Sequence, residues 1–81
     1  KIASLLLELA ESHGIETSSG VRIGLGLTHQ EMGAMVGMTR EQVTKLFGQL
    51  RESGAVETVK GRIVLRDLDR LREIGGPRQG G

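Results

Sequence analysis

THQEMGAMVGMTREQVTKLFGQL, residues 28–50, opens on a Thr and places a second Thr eleven positions later. Each begins a capping box. Thr28 is followed three residues on by Glu31, and Thr39 by Gln42. In this pattern the Thr hydroxyl accepts from the backbone N–H of the third residue, whose side chain reaches back to the Thr N–H. The two boxes predict two separately capped helices, at about 29–36 and 40–53, with Gly37 as the tight turn between them. Gly33 falls one helical turn earlier, where a side chain would obstruct the second helix as it crosses the first. Two helices packed steeply through a short turn make a helix-turn-helix.

The second helix is two-faced. At roughly 100° per residue, Val43, Leu46, Phe47 and Leu50 share one side, while Arg40, Glu41, Thr44, Lys45, Gly48 and Arg51 share the other. The apolar stripe reads as core. The polar side is the informative one.

Upstream, Ile2 to His13 reads as a helix whose stripe is Ile2, Leu5, Leu6 and Leu9. Leu7 lies off that stripe and is expected to face something beyond these residues. Gly14 is the expected stop, at the positive φ that glycine adopts cheaply. IETSSG (15–20) reads as a loop and VRIGLGL (21–27) as a short strand by its alternation. Gly24-Leu25-Gly26 is no phosphate loop, since no third glycine follows at the required spacing and no earlier strand feeds it.

Downstream, Gly54 ends the second helix of the pair. AVETVKGRIVLR (55–66) reads as two strands joined at Lys60-Gly61, with Val56 and Thr58 alternating around Glu57, and Ile63 and Leu65 around Val64. Asp67 caps a last short helix carrying Leu68 and Leu71. GGPRQGG (75–81) has no means of burying surface and is expected to be disordered. The expected organisation is one domain over 1–74 and a tail over 75–81. The fold class is α+β and mostly helical: a winged helix-turn-helix, with a three-helix core and a small β-hairpin wing.

Composition sets limits. A chain of 81 residues makes one small domain, and Phe47 is its only aromatic, so the core must be aliphatic. There is no Cys, which removes disulfides, thiolate metal sites and a cysteine nucleophile, and fits a reducing, cytoplasmic setting. No apolar run is long enough to cross a membrane, Glu8 and Glu11 interrupt the first helix, and no signal-peptide cleavage pattern follows it. The chain starts without Met and in mid-pattern, as a piece cut from something longer would. His13 and His29 are too far apart to make a metal site, and His13 is expected to steady the end of the first helix. Nothing arranges a nucleophile, a base and an orienting acid, or a pair of carboxylates in a pocket, so an enzyme is not expected.

Net charge is only +1, but from Lys60 onward six basic residues face three acidic ones. In winged helix-turn-helix folds the second helix of the pair enters the DNA major groove N-terminal residues first. Arg40 can bond bidentately to guanine, Glu41 can accept from cytosine N4, and Lys45 projects from the same face one turn later, with Thr44 beside it. These four are the expected base-reading residues. Thr28, Gln30 and Thr39, at helix N-termini, are expected to donate to phosphate oxygens as well as to cap. His29 adds a further phosphate contact, and Lys60 and Arg62 at the hairpin tip would touch the backbone beside the groove.

At LTHQEMGAMVGMTREQVTKLFGQLRESGAV (27–56) the sequence resembles the DNA-binding domain of the cyclic-AMP receptor/fumarate-nitrate regulator (Crp/Fnr) superfamily of bacterial transcription factors. The characteristic run there is a Thr-capped helix with Gln and Glu, a Val-Gly turn, then Ser/Thr-Arg-Glu-x-Val-x-Arg. Here it reads Val36-Gly37-Met38-Thr39-Arg40-Glu41-Gln42-Val43-Thr44-Lys45. The likeness extends from the first helix through GRIVLRD, and so covers all but the tail. It implies that Arg40 and Glu41 read a G·C region in each half-site, that Lys45 takes the third reading position, and that Thr28, Gln30, Thr39, Lys60 and Arg62 hold phosphates. Lys45 departs from the Arg common there, and a point charge cannot reproduce the planar fork of Arg. The resemblance also implies an effector-binding β-barrel and a long dimerisation helix ahead of this domain. It implies a homodimer on a near-palindromic operator, double-stranded DNA as partner, and RNA polymerase as a further one. No cofactor is expected in these residues; a cyclic nucleotide is one class of effector the resemblance suggests for the upstream part.

The alternative is a winged helix used as a protein-interaction module, with the same face meeting another protein. Salt separates the two, because binding through several phosphates weakens steeply as salt rises.

Overall fold

The computed structural model describes residues 2–75, and every helix expected from the sequence is present. Helix α1 (Ile2–His13) buries Ile2, Ala3, Leu5, Leu6 and Leu9, the expected stripe widened by Ala3. Leu7 packs against the edge of the core, half-buried.

Three expectations about the next segment need correction. Gly14 does not take a positive φ; it continues from α1 into strand β1 (Gly14–Thr17). Its role is close approach, because a Cβ there would run into the Ala10 carbonyl and lie 2.8 Å from Val21 Cγ1. Residues 15–20 are not a loop. They belong to a tight hairpin in which β1 pairs with β2 (Gly20–Ile23) from Gly14↔Ile23 to Thr17↔Gly20. The Thr17 hydroxyl helps to close it, donating to the Gly20 carbonyl at 2.8 Å and accepting from the Ser19 N–H at 3.1 Å. The strand read over 21–27 stops at Ile23, where the Gly24 N–H leaves the ladder and donates to the His13 carbonyl at 2.7 Å.

Helices α2 (His29–Val36) and α3 (Arg40–Glu52) form as the two capping boxes dictate, α3 ending one residue before the expected 53. The Glu31 N–H donates to Thr28 Oγ1 (3.0 Å) and the Thr28 N–H to Glu31 Oε1 (2.8 Å). The second box repeats this, Gln42 N–H to Thr39 Oγ1 (3.1 Å) and Thr39 N–H to Gln42 Oε1 (2.9 Å). Gly37, at φ 73°, is the left-handed cap of α2, and its N–H and that of Met38 both donate to the Gly33 carbonyl. Gly33 is buried for the expected reason, close approach. The atoms a Cβ would meet are the Met38 carbonyl and the Thr39 carbonyl carbon, in the turn that enters α3.

Strands β3 (Val56–Val59) and β4 (Arg62–Leu65) form the expected hairpin, with Lys60 at φ 52° and Gly61 at φ 78°. Two successive positive φ values give the type I′ turn, whose twist suits a two-residue connection. The wing is also part of something larger. β4 pairs with β2 through Val21↔Leu65 and Arg22↔Val64, giving one antiparallel sheet in the order β1-β2-β4-β3. Membership of an inner strand explains why Val64 and Leu65 are both buried where alternation would expose one. Leu65 joins the helical core, while Val64 shares the other face with Arg22 and Glu57 on its flanking strands.

Helix α4 (Leu68–Gly75) starts at the expected cap, the Arg70 N–H donating to Asp67 Oδ1 at 3.0 Å. It lies along α1, with Leu71 fully buried. Gly75, expected in the tail, is its last residue and accepts a 2.9 Å hydrogen bond from the Ser4 hydroxyl. The rest of the expected tail, 76–81, lies outside the described residues. The core gathers α1, Ile23, Met32, the Val43–Phe47–Leu50 side of α3, Ala55, Val56, Leu65 and Leu71. No polar or charged residue among the described ones is buried in it.

Candidate nucleic-acid interface

α3 is seated by its apolar side and leaves its charged side to solvent. Val43, Phe47 and Leu50 are buried and Leu46 is half-buried, while positions 40, 41, 44 and 45 are exposed. Arg40 and Glu41, both in the first turn, keep 62% and 78% of their side chains accessible. Their ion pair is long, 3.6 Å between Arg40 Nη2 and Glu41 Oε2. At that exposure it contributes at most about 1 kcal/mol and does not lock either group away from a ligand. Lys45 forms no ion pair among the described residues.

Thr44, exposed on that face, has one polar side-chain partner among the described residues. Its Oγ1 lies 2.8 Å from His29 Nδ1, across the turn. The His29 ring also rests on Phe47, with centroids 5.2 Å apart and planes at 35°. His29 is therefore half-buried and committed on one side, and its role is more than that of a surface histidine beside a cap. These contacts bring the N-terminus of α2, with Thr28 and Gln30, beside the outward face of α3. Thr28 and Thr39 both spend a lone pair on their caps, which leaves each hydroxyl proton free to donate outward.

The wing supplies the remaining residues. Lys60 is exposed at the tip of the turn. Arg62 begins β4 and turns its guanidinium toward the loop ahead of α2, where Nη1 lies 3.4 Å from where a Gly26 Cβ would be. No hydrogen bond or ion pair among the described residues ties the wing tip to the first turn of α3. One charged residue on the outward face had no assigned role, Arg51. Its guanidinium carbon stands 5.9 Å from the Phe47 centroid, two helical turns beyond Thr44. Its position in the face pattern was the available signal. The described residues contain no group of three or more His, Cys, Asp or Glu able to hold a metal ion, and no helix long and apolar enough to cross a membrane.

Two capped helices joined through a left-handed glycine, the second showing a charged face beside a two-stranded wing, define a winged helix-turn-helix protein. The chain belongs to the Crp-like helix-turn-helix family, a family of DNA-binding transcription regulators and not of enzymes, whose model matches residues 1–74. It is 38% identical to the transcriptional regulator SdrP of Thermus thermophilus over 96% of its length, and covers 38% of that protein. It is 40% identical to the global nitrogen regulator of Synechococcus elongatus over 80% of its length, covering 29% of that protein. Among solved structures, the CO-dependent transcription factor CooA from Carboxydothermus hydrogenoformans superposes with a TM-score of 0.86 at 30% identity, over 93% of this chain and 35% of that one. A CRP/FNR-family regulator from Thermus thermophilus gives 0.79 at 39% identity, over 96% of this chain and 40% of that one. The chain thus spans between 29% and 40% of the length of these relatives.

Proposed function

We propose that this domain recognises operator DNA by laying α3 in the major groove, N-terminal turn first. The observation that carries this is the outward exposure of Arg40, Glu41 and Lys45 on a helix whose opposite side is anchored in the core. In this reading Arg40 bonds bidentately to guanine, Glu41 accepts from cytosine N4, and Lys45 reaches an acceptor one turn deeper. Thr28, Gln30 and Thr39, the wing residues Lys60 and Arg62, and His29 hold phosphates and set register. Thr44, bonded to His29 on one side, is the fourth reading group on this face.

The parent protein is then a bacterial transcription regulator acting on the chromosome in the cytoplasm. It would bind as a homodimer through sequence outside these residues, with one α3 per half-site. Its effector, for which a cyclic nucleotide is one class, would also bind outside them. A single domain lacks the effective concentration that a dimer supplies, so it should bind weakly alone.

The test is the salt dependence of duplex binding by fluorescence anisotropy. Each neutralised phosphate contributes about −0.9 to the slope of log K against log salt. The reading predicts a steep linear fall, with saturable binding at low salt. A domain that binds no duplex, or binds with a nearly flat salt response, would instead favour a protein partner for the same face.

A further inference from the structure

His29 is the first residue of α2, yet its polar contact is with α3. Nδ1 meets Thr44 Oγ1 at 2.8 Å and the ring is held against Phe47. Thr44 lies on the outward face with Arg40 one turn before it and Gly48 one turn after. The direction of the shared hydrogen bond decides what this pair offers a ligand. If Nδ1 is bare, the Thr44 hydroxyl donates to it and keeps only lone pairs for the outside. If Nδ1 carries the proton of a neutral ring, Thr44 is free to donate, but Nε2 then presents a lone pair. Only the imidazolium, with both nitrogens protonated, lets Thr44 Oγ1 and His29 Nε2 donate outward together.

We infer that His29 is a positioning residue for the Thr44 hydroxyl, and that its protonation turns the pair into a two-donor phosphate contact, so that DNA binding by this domain takes up a proton. The inference rests on the DNA-binding reading and adds its regulation by pH.

The charged surroundings agree with it. From α3, Arg40, Lys45 and Arg51 are cationic and Glu41 is paired to Arg40 at 3.6 Å. From α2, Glu31 is turned back onto the Thr28 N–H. From β4, Arg62 lies against Gly26 in the loop leading to α2. Among the described residues no carboxylate is within ion-pairing distance of the imidazole. A proton on His29 gains a phosphate partner in the complex that it lacks in the free domain, and that contact couples binding to pH. The complex holds more protons than its separated parts, so the association constant rises as pH falls through the imidazole range, about pH 8 to 5.

The experiment measures anisotropy of a rhodamine-labelled random-sequence duplex with the 81-residue chain, at fixed ionic strength across that range. The expected gain is about tenfold in association constant at the acid end. His29→Gln should abolish the pH dependence, and His13→Gln, on the far end of α1, should retain it. Thr44→Ser, which keeps the hydroxyl, should retain it in full, and Thr44→Val, which leaves only the His29 Nε2 donor, should reduce it; an undiminished profile in Thr44→Val overturns the positioning role. A flat wild-type profile, an unchanged profile in His29→Gln, or its loss in His13→Gln overturns the inference while leaving DNA binding intact. Because His29 also packs on Phe47, a second measurement uses the unsubstituted chain: NMR titration of the His29 ring, free and DNA-bound. Its midpoint should be higher in the complex, and an unmoved or lower midpoint overturns the inference. A chain that binds no duplex at any pH overturns the DNA reading and this inference together.

Discussion

Gly33→Ala and Gly48→Ala are the same chemical change on two adjacent helices, and the structure assigns them opposite signs. At Gly33 the new methyl would approach the Met38 carbonyl oxygen closer than the 3.0 Å that real Cβ contacts respect, and would sit 3.2 Å from the Met38 carbonyl carbon and 3.4 Å from that of Thr39. These are backbone atoms of the turn, so no side-chain rotation relieves the clash. The start of α3 must move, which costs about 1–3 kcal/mol in overpacking. Weakening the 2.8 Å bond from the Met38 N–H to the Gly33 carbonyl costs about 1 kcal/mol more. Replacing glycine by alanine within a helix returns about 1 kcal/mol. The net expectation is a loss of about 2 kcal/mol, or a fall of about 8–16 °C in Tm for a domain of this size. At Gly48 an added Cβ meets nothing within 4 Å, so only the propensity gain remains. Tm should then rise by about 2–8 °C. Thermal unfolding followed by circular dichroism reads both. A Gly33→Ala domain as stable as the parent would refute the close approach of the turn to α2, and a destabilised Gly48→Ala would refute the open position assigned to Gly48.

Thr39→Ala removes the hydroxyl that accepts from the Gln42 N–H and should cost about 1 kcal/mol in urea denaturation; a midpoint equal to the parent's would show that the cap carries no stability. Lys60 holds a left-handed φ of 52°, so Lys60→Gly should stabilise the fold by up to about 1 kcal/mol. The same substitution should weaken binding to specific and random duplexes alike and flatten the salt slope by about one unit. A Lys60→Gly domain with altered base preference would remove the wing from its phosphate role.

How much of this was legible follows from where each signal lies. The helix pair was readable because its instructions are local: Thr28 with Glu31, Thr39 with Gln42, and Gly37 between them lie within a few residues of their targets. The wing was readable because Lys60-Gly61 sits between two short apolar strands. Strand β1 was not, because all four of its residues are exposed and carry no apolar alternation; only its pairing with β2 makes it a strand. Val64 misled for a related reason, since burial on an inner strand erases the period that marks a half-exposed one. Arg40, Glu41 and Lys45 could be placed on one face from helical spacing alone. The bond between His29 and Thr44 could not, because the two residues are fifteen apart and meet only once the crossing of α2 and α3 is set.

The central claim is that the first turn of α3 reads bases. Duplexes selected from a random library by the parent domain and by Arg40→Ala test it most directly. Base reading predicts that the parent enriches a G·C-containing motif, that Arg40→Ala loses preference at one base pair, and that its affinity for the parent's motif falls by about 1–3 kcal/mol while random-duplex binding changes far less. The same motif from both proteins, or equal losses on selected and random DNA, would contradict it.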